Sequence, residues 1–88
     1  MKILMVGANL RAMIDDVRHG LNPNSIRYFR INSGLFELND GSTIRVIRIE
    51  KPHDFDQIRG VRFDLVLEHS SFPRDAGMFA TLRAYTHR

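Results

Sequence analysis

The chain has no cysteine. That rules out a disulfide staple and a thiolate-ligated metal, and it fits a cytoplasmic setting. No apolar run approaches the roughly 20 residues of a membrane-spanning helix. The segment ILMVGA after Lys2 passes straight into the charged stretch NLRAMIDDVRHG, so it reads as neither a signal peptide nor an anchor. Lysine is scarce, with two residues against eleven arginines. Neither Lys2 nor Lys51 follows a glycine, and the phosphate-cradling pattern G-x-x-x-x-G-K-[ST] is absent. The dinucleotide pattern G-x-G-x-x-G and the nucleophile elbow G-x-S-x-G are absent too. There is no internal repeat, low-complexity tract or linker.

What remains is 88 residues with 43% apolar and 26% charged composition, the balance of one small globular domain over residues 1–88. A chain of this size buries about 60–65% of its unfolded surface, enough for a modest core but not for a deep substrate cavity. The net charge is +3 and is spread along the chain without a basic block. Arginine suits phosphate and carboxylate, but GC-rich codon usage gives the same excess, and the spread makes a poor nucleic-acid signature.

Lys2 to Val6 reads as a short buried strand ended by Gly7. Asn9 is a good helix N-cap, and Leu10, Met13, Ile14, Val17 and Leu21 follow at helical spacing. Asp15 and Asp16 then fall on the solvated side, and Gly20 suits the C-cap. Ser25 to Ile31 suits a strand. Leu35, Phe36 and Leu38, the turn around NDG, and Ile44 to Ile49 read as a hairpin. KPHDFDQ, polar and broken by Pro52, reads as a loop. Phe63 to Glu68 reads as a second buried strand. A closing helix starts near Pro73, with Phe79 and Leu82 inward. The fold class expected is α/β, a small mixed sheet built on a βαβ unit with an antiparallel hairpin and a C-terminal helix.

The ordered set MKILMVGANLRAM, LFELNDGSTIRVI, IRGVRFDLVLEHSSF and ATLRAYTHR resembles a segment of the RecA-like ATPase domain of phage large terminase subunits and related helicases. Asn39, Gly41 and Ser42 match the family's hairpin, and Arg59-Gly60 matches the pair before its Walker B strand. The likeness covers most of the chain, yet the Walker A loop is missing. Where the family carries its Walker B carboxylates, this chain has Glu68, His69 and Ser70. Histidine is a poor magnesium ligand and serine cannot act as the carboxylate base. The resemblance therefore implies a scaffold with a degenerate Walker B and no cofactor or catalytic residue. It also implies a phage or prophage origin and a host-cytoplasmic location.

Within the full ATPase core the Walker B strand is flanked by further strands. Without them, Phe63 to Glu68 becomes an apolar edge, and Phe63, Leu65 and Leu67 are candidates to meet a partner protein or a second copy. The expected function is a non-catalytic interaction or regulatory protein. The alternative is a nucleic-acid-binding module, with Arg27, Arg30, Arg45 and Arg48 interleaved with Tyr28 and Phe29 on a sheet face. Arg59 or Arg74 could serve as an arginine finger for a partner's ATPase. His53, Asp54 and Asp56 read as a solvated acidic turn rather than a metal site. Glu68 and His69, adjacent on a strand, point to opposite faces and so make no acid–base pair. Ser71 reads as a helix cap before FPRD.

Overall fold

A computed structural model describes residues 1–73 and 76–86. Strand β1 (Lys2–Gly7) leads into helix α1 (Leu10–Gly20). A single 3-10 turn (Pro23–Ser25) then enters β2 (Ile26–Arg30), β3 (Leu35–Leu38) and β4 (Thr43–Arg48). A second 3-10 helix (Pro52–Ile58), β5 (Leu65–Glu68) and helix α2 (Ala76–Thr86) complete the order. The five strands form one mixed sheet in the order β2-β3-β4-β1-β5. β1 runs parallel to both neighbours, with Ile3 opposite Ile44 of β4 and opposite Leu65 of β5. β2, β3 and β4 are antiparallel to one another in turn. This is the mixed α/β arrangement expected from the sequence.

The sheet divides the core in two, because alternate residues of a strand leave opposite faces. On one face Met13 and Val17 of α1 cover Phe36, Ile44 and Val46, with Ile3, Met5 and Phe29 half-buried around them. Phe29 and Phe36 stack with ring centroids 4.3 Å apart. On the other face Leu4, Val6, Ile47 and Ile49 pack against Phe55, Ile58, Phe72, Met78 and Leu82. Asn9 caps α1 as its side chain predicts, accepting from the Ala12 N–H at 3.0 Å. The helix runs through Gly20 and ends on Leu21, whose N–H donates to the Val17 carbonyl at 3.1 Å. The hairpin turn closes through the Gly41 N–H donating to the Leu38 carbonyl at 3.1 Å.

Two expectations need correction. KPHDFDQ is not a loop but most of the 3-10 helix Pro52–Ile58, and Phe55 and Ile58, three residues apart, share its buried face. The last strand begins at Leu65 rather than Phe63, and it is open rather than buried, since Leu65, Leu67 and Glu68 are exposed. Phe63 instead packs against the second core. Among the described residues the closing helix covers Ala76–Thr86, with Leu82 buried as expected; its start near Pro73 and the Phe79 side chain lie outside what is described.

Candidate functional site

Among the described residues β5 is hydrogen-bonded to β1 alone, and it forms one border of the sheet. Its register with β1 sets the two faces. Leu65 and Leu67 lie opposite Ile3 and Met5 on the side of α1, and Val66 and Glu68 lie opposite Leu4 and Val6 on the other side. Helix α1 packs against β1 and β4, which leaves Leu65 41% and Leu67 38% exposed. The amide direction follows from one bond: the His69 N–H donates to the Val6 carbonyl at 2.9 Å. Alternate residues of a parallel strand share that direction, so Leu67 and Leu65 also turn their amide groups toward β1. Val66 and Glu68 turn theirs outward. Among the described residues nothing hydrogen-bonds to those outward groups.

Beyond the end of β5 the chain folds back over the turn that starts α1. The Ser71 hydroxyl accepts from the Ala8 N–H at 3.0 Å and the Asn9 N–H at 3.2 Å. Its own hydrogen is then directed to His69 Nδ1, 2.7 Å away. The Ser71 N–H also points at that nitrogen, at 3.1 Å. A backbone N–H can only donate, so Nδ1 is the accepting nitrogen and the imidazole carries its proton on Nε2. Nε2 donates to Asp16 Oδ2 at 2.5 Å. The His69 side chain is 10% exposed, while Asp16 is 64% exposed.

The constellation has the side-chain types of a nucleophile relay, but both acceptor positions of the serine oxygen are taken by backbone donors. Its geometry is that of a fastener joining β5, the β1–α1 turn and α1. Ser71 thus caps the turn before α1, while its relation to the helix after FPRD lies outside the described residues, and Asp16 is bound rather than merely solvated. Gly7 makes the closure possible. A Cβ there would lie 2.6 Å from Ser71 Oγ, 2.7 Å from Met13 Sδ and 2.9 Å from His69 Cβ, closer than real side chains come.

Glu68, His69 and Ser70 do not converge. Glu68 and Ser70 are exposed, whereas His69 is half-buried and turned to Asp16. The four arginines divide as well. β3 separates β2 from β4, and the register aligns Arg30, Leu35, Arg45 and Leu4 in one row across the sheet. Arg30 lies over the Tyr28 ring at 5.2 Å and donates to its hydroxyl at 3.2 Å. Arg30, Arg45 and Tyr28 therefore share a face, while Arg48 and Phe29 lie on the opposite one. Arg27 sits at the register irregularity of β2, exposed. Arg45 Nε is buried without a hydrogen-bond partner, and Arg48 lies 3.9 Å from Glu50.

Arg59 is exposed just after the second 3-10 helix; Arg74 lies outside the described residues. In the acidic turn Asp54 is committed to the backbone. It accepts from the Glu50 N–H at 2.8 Å and the Lys51 N–H at 2.9 Å, and these bonds lower its pKa from the ordinary 3.8, with smaller help from His53 and Arg48. His53 stands 3.6 Å away. Among the described residues no group of three or more His, Asp or Glu is placed to hold a metal ion, and no helix is long and apolar enough to cross a membrane. Compared with known protein families, curated proteins and solved structures, the chain matches none of them.

Proposed function

We propose that this chain is a non-catalytic interaction protein that docks on a partner protein by accepting an added strand along β5. The observation that carries the reading is the open border itself: two outward-facing amide positions, Val66 and Glu68, beside the exposed Leu65 and Leu67. Strand addition draws affinity from main-chain hydrogen bonds and specificity from alternate side chains. Edges that are not meant to pair usually carry lysine, proline or a bulge, and LVLE has none of these. The likeness to a terminase or helicase core extends the proposal to a phage or prophage regulator acting on host or phage machinery in the cytoplasm.

The test is capture from host lysate by the tagged chain, with and without nuclease and across a salt series, alongside the variant Val66→Pro. Proline removes an outward donor that β1 does not use, and sheet borders tolerate it; circular dichroism checks that the variant folds. The expected outcome is a partner retained after nuclease and at high salt by the parent chain and lost by the variant. Equal capture by the two chains would overturn the reading.

A second reading rests on the row Arg30–Leu35–Arg45 beside Tyr28, which could engage a single-stranded nucleic acid by stacking and charge. Glu37, opposite Tyr28 in the register, counts against it. Release of all bound material by nuclease, with affinity falling steeply in salt, would favour this reading instead.

A further inference from the structure

A polar notch opens in the sheet where β4 outruns its neighbour. β3 begins at Leu35, opposite Arg45, while β4 continues to Arg48. The turn over residues 31–34 stands beside that extension, and the Gly34 carbonyl accepts the Val46 N–H at 2.8 Å. Gly34, at φ 60°, permits the approach: a Cβ there would lie 2.5 Å from the Val46 carbonyl oxygen. Between turn and strand lies a cavity of about 310 Å³, with Asn32 and Ser33 on one wall, Arg45 and Arg48 on the other, and Leu10 and Gln57 at its margin.

The groups that meet here are donors. Arg45 and Arg48 leave opposite faces of β4 and so flank the notch from two sides. No acid lines it; the exposed Glu50 lies 3.9 Å from Arg48 but outside the cavity. Among the described residues Arg45 has no ion-pair partner, and its buried Nε–H has no acceptor. The main chain adds a further donor. The Ile49 N–H is given to the Gly7 carbonyl of the β1 side and the Val46 N–H to the turn. Amides alternate along a strand, so the Arg48 N–H faces the notch, and among the described residues nothing accepts it. The Arg48 carbonyl is already taken by Gln57 Nε2 at 3.4 Å. The Asn32 and Ser33 side chains are exposed and also lack partners among the described residues.

We propose that this notch binds a phosphate group, free or at the end of a small ester, seated between Arg45 and Arg48. An unanswered buried donor and an arginine without a counter-charge are costly, and an oxyanion answers both. Donors come from both faces of β4, from its main chain and from the facing turn. A tetrahedral phosphate offers oxygens in all these directions, whereas a planar carboxylate offers two in one plane. The notch lies at the carboxyl end of a parallel strand, where open α/β sheets bind ligands. Its volume is at the lower end of small-molecule sites, leaving room for a short organic remainder against Leu10. The site is separate from β5 and does not depend on strand docking.

The experiment is an NMR titration of the 15N-labelled full chain with inorganic phosphate, glycerol phosphate and acetate at constant ionic strength. Both phosphates are expected to shift the amides of residues 32–34 and Arg48 saturably, and acetate to bind at least roughly tenfold more weakly, the scale of one charge-assisted contact. Tighter binding of glycerol phosphate would assign the site to an ester, and equal binding to free phosphate. Arg48→Gln and Ser33→Asp, both at exposed positions and checked for folding in the same spectra, should each weaken phosphate binding by a similar factor. Unchanged affinity in both variants, acetate binding as tightly as phosphate, or shifts scattered over all the arginines would overturn the inference. So would a thymidine oligonucleotide that binds more tightly than either phosphate with shifts running on to Tyr28 and Arg30, since the arginines would then read a nucleic-acid strand.

Discussion

Gly7 carries more of this structure than its size suggests. The side chains of Ser71, His69 and Met13 lie against it so closely that one added carbon meets all three together. Gly7→Ala should therefore lower stability by about 1–3 kcal/mol, the cost of overpacking a tight contact, measured by urea denaturation. Ser71→Ala would strip the side-chain acceptor from the Ala8 and Asn9 N–H groups while adding no bulk, so comparing the two variants separates lost hydrogen bonding from collision. Asp54 gives a residue-scale prediction in pH. Its carboxyl binds protons less readily when folded than when unfolded, because the Glu50 and Lys51 N–H groups hold the charged form. The stabilisation is complete above the ordinary 3.8 and lost as pH falls through the lowered folded value. Asp54→Asn should thus be less stable than the parent near neutral pH, with the difference shrinking below about pH 4 in urea melts.

At the scale of elements, legibility in the sequence followed the strength of the pattern. β1 and α1 are plain because an apolar run stops at Gly7, Asn9 offers a cap, and Leu10, Met13 and Val17 repeat at helical spacing. The β3–β4 hairpin is plain from its turn. The 3-10 helix Pro52–Ile58 is hidden because five of its seven residues are polar or proline, leaving only the i, i+3 spacing of Phe55 and Ile58 to mark it. Phe63 misleads because an aromatic residue leading into DLVLE looks like part of the strand, whereas it fills space in the second core. The fastener was not legible at all: Asp16 and His69 are separated by 53 positions, and no local pattern links an exposed helical acid to a strand-end histidine. Nor could spacing reveal that β3 separates β2 from β4, which divides the arginines between two faces.

Over the whole molecule the two cores are unequally secured. β1 and β4 are paired along both sides, while β5 holds only four residues on one side and α2 packs against the second 3-10 helix. Native-state hydrogen exchange should therefore show the amides of Leu67 and His69 opening before those of β4, as a cooperative unit below the global unfolding free energy. A different consequence lies in the position of β1 between strands distant from it in sequence. Ile3 waits for Ile44 on one flank and for Leu65 on the other. During synthesis β1 leaves the ribosome well before either neighbouring strand. Its β5 flank stays unpaired until residue 65 emerges, and over that interval the open flank is exposed to aggregation and to chaperones.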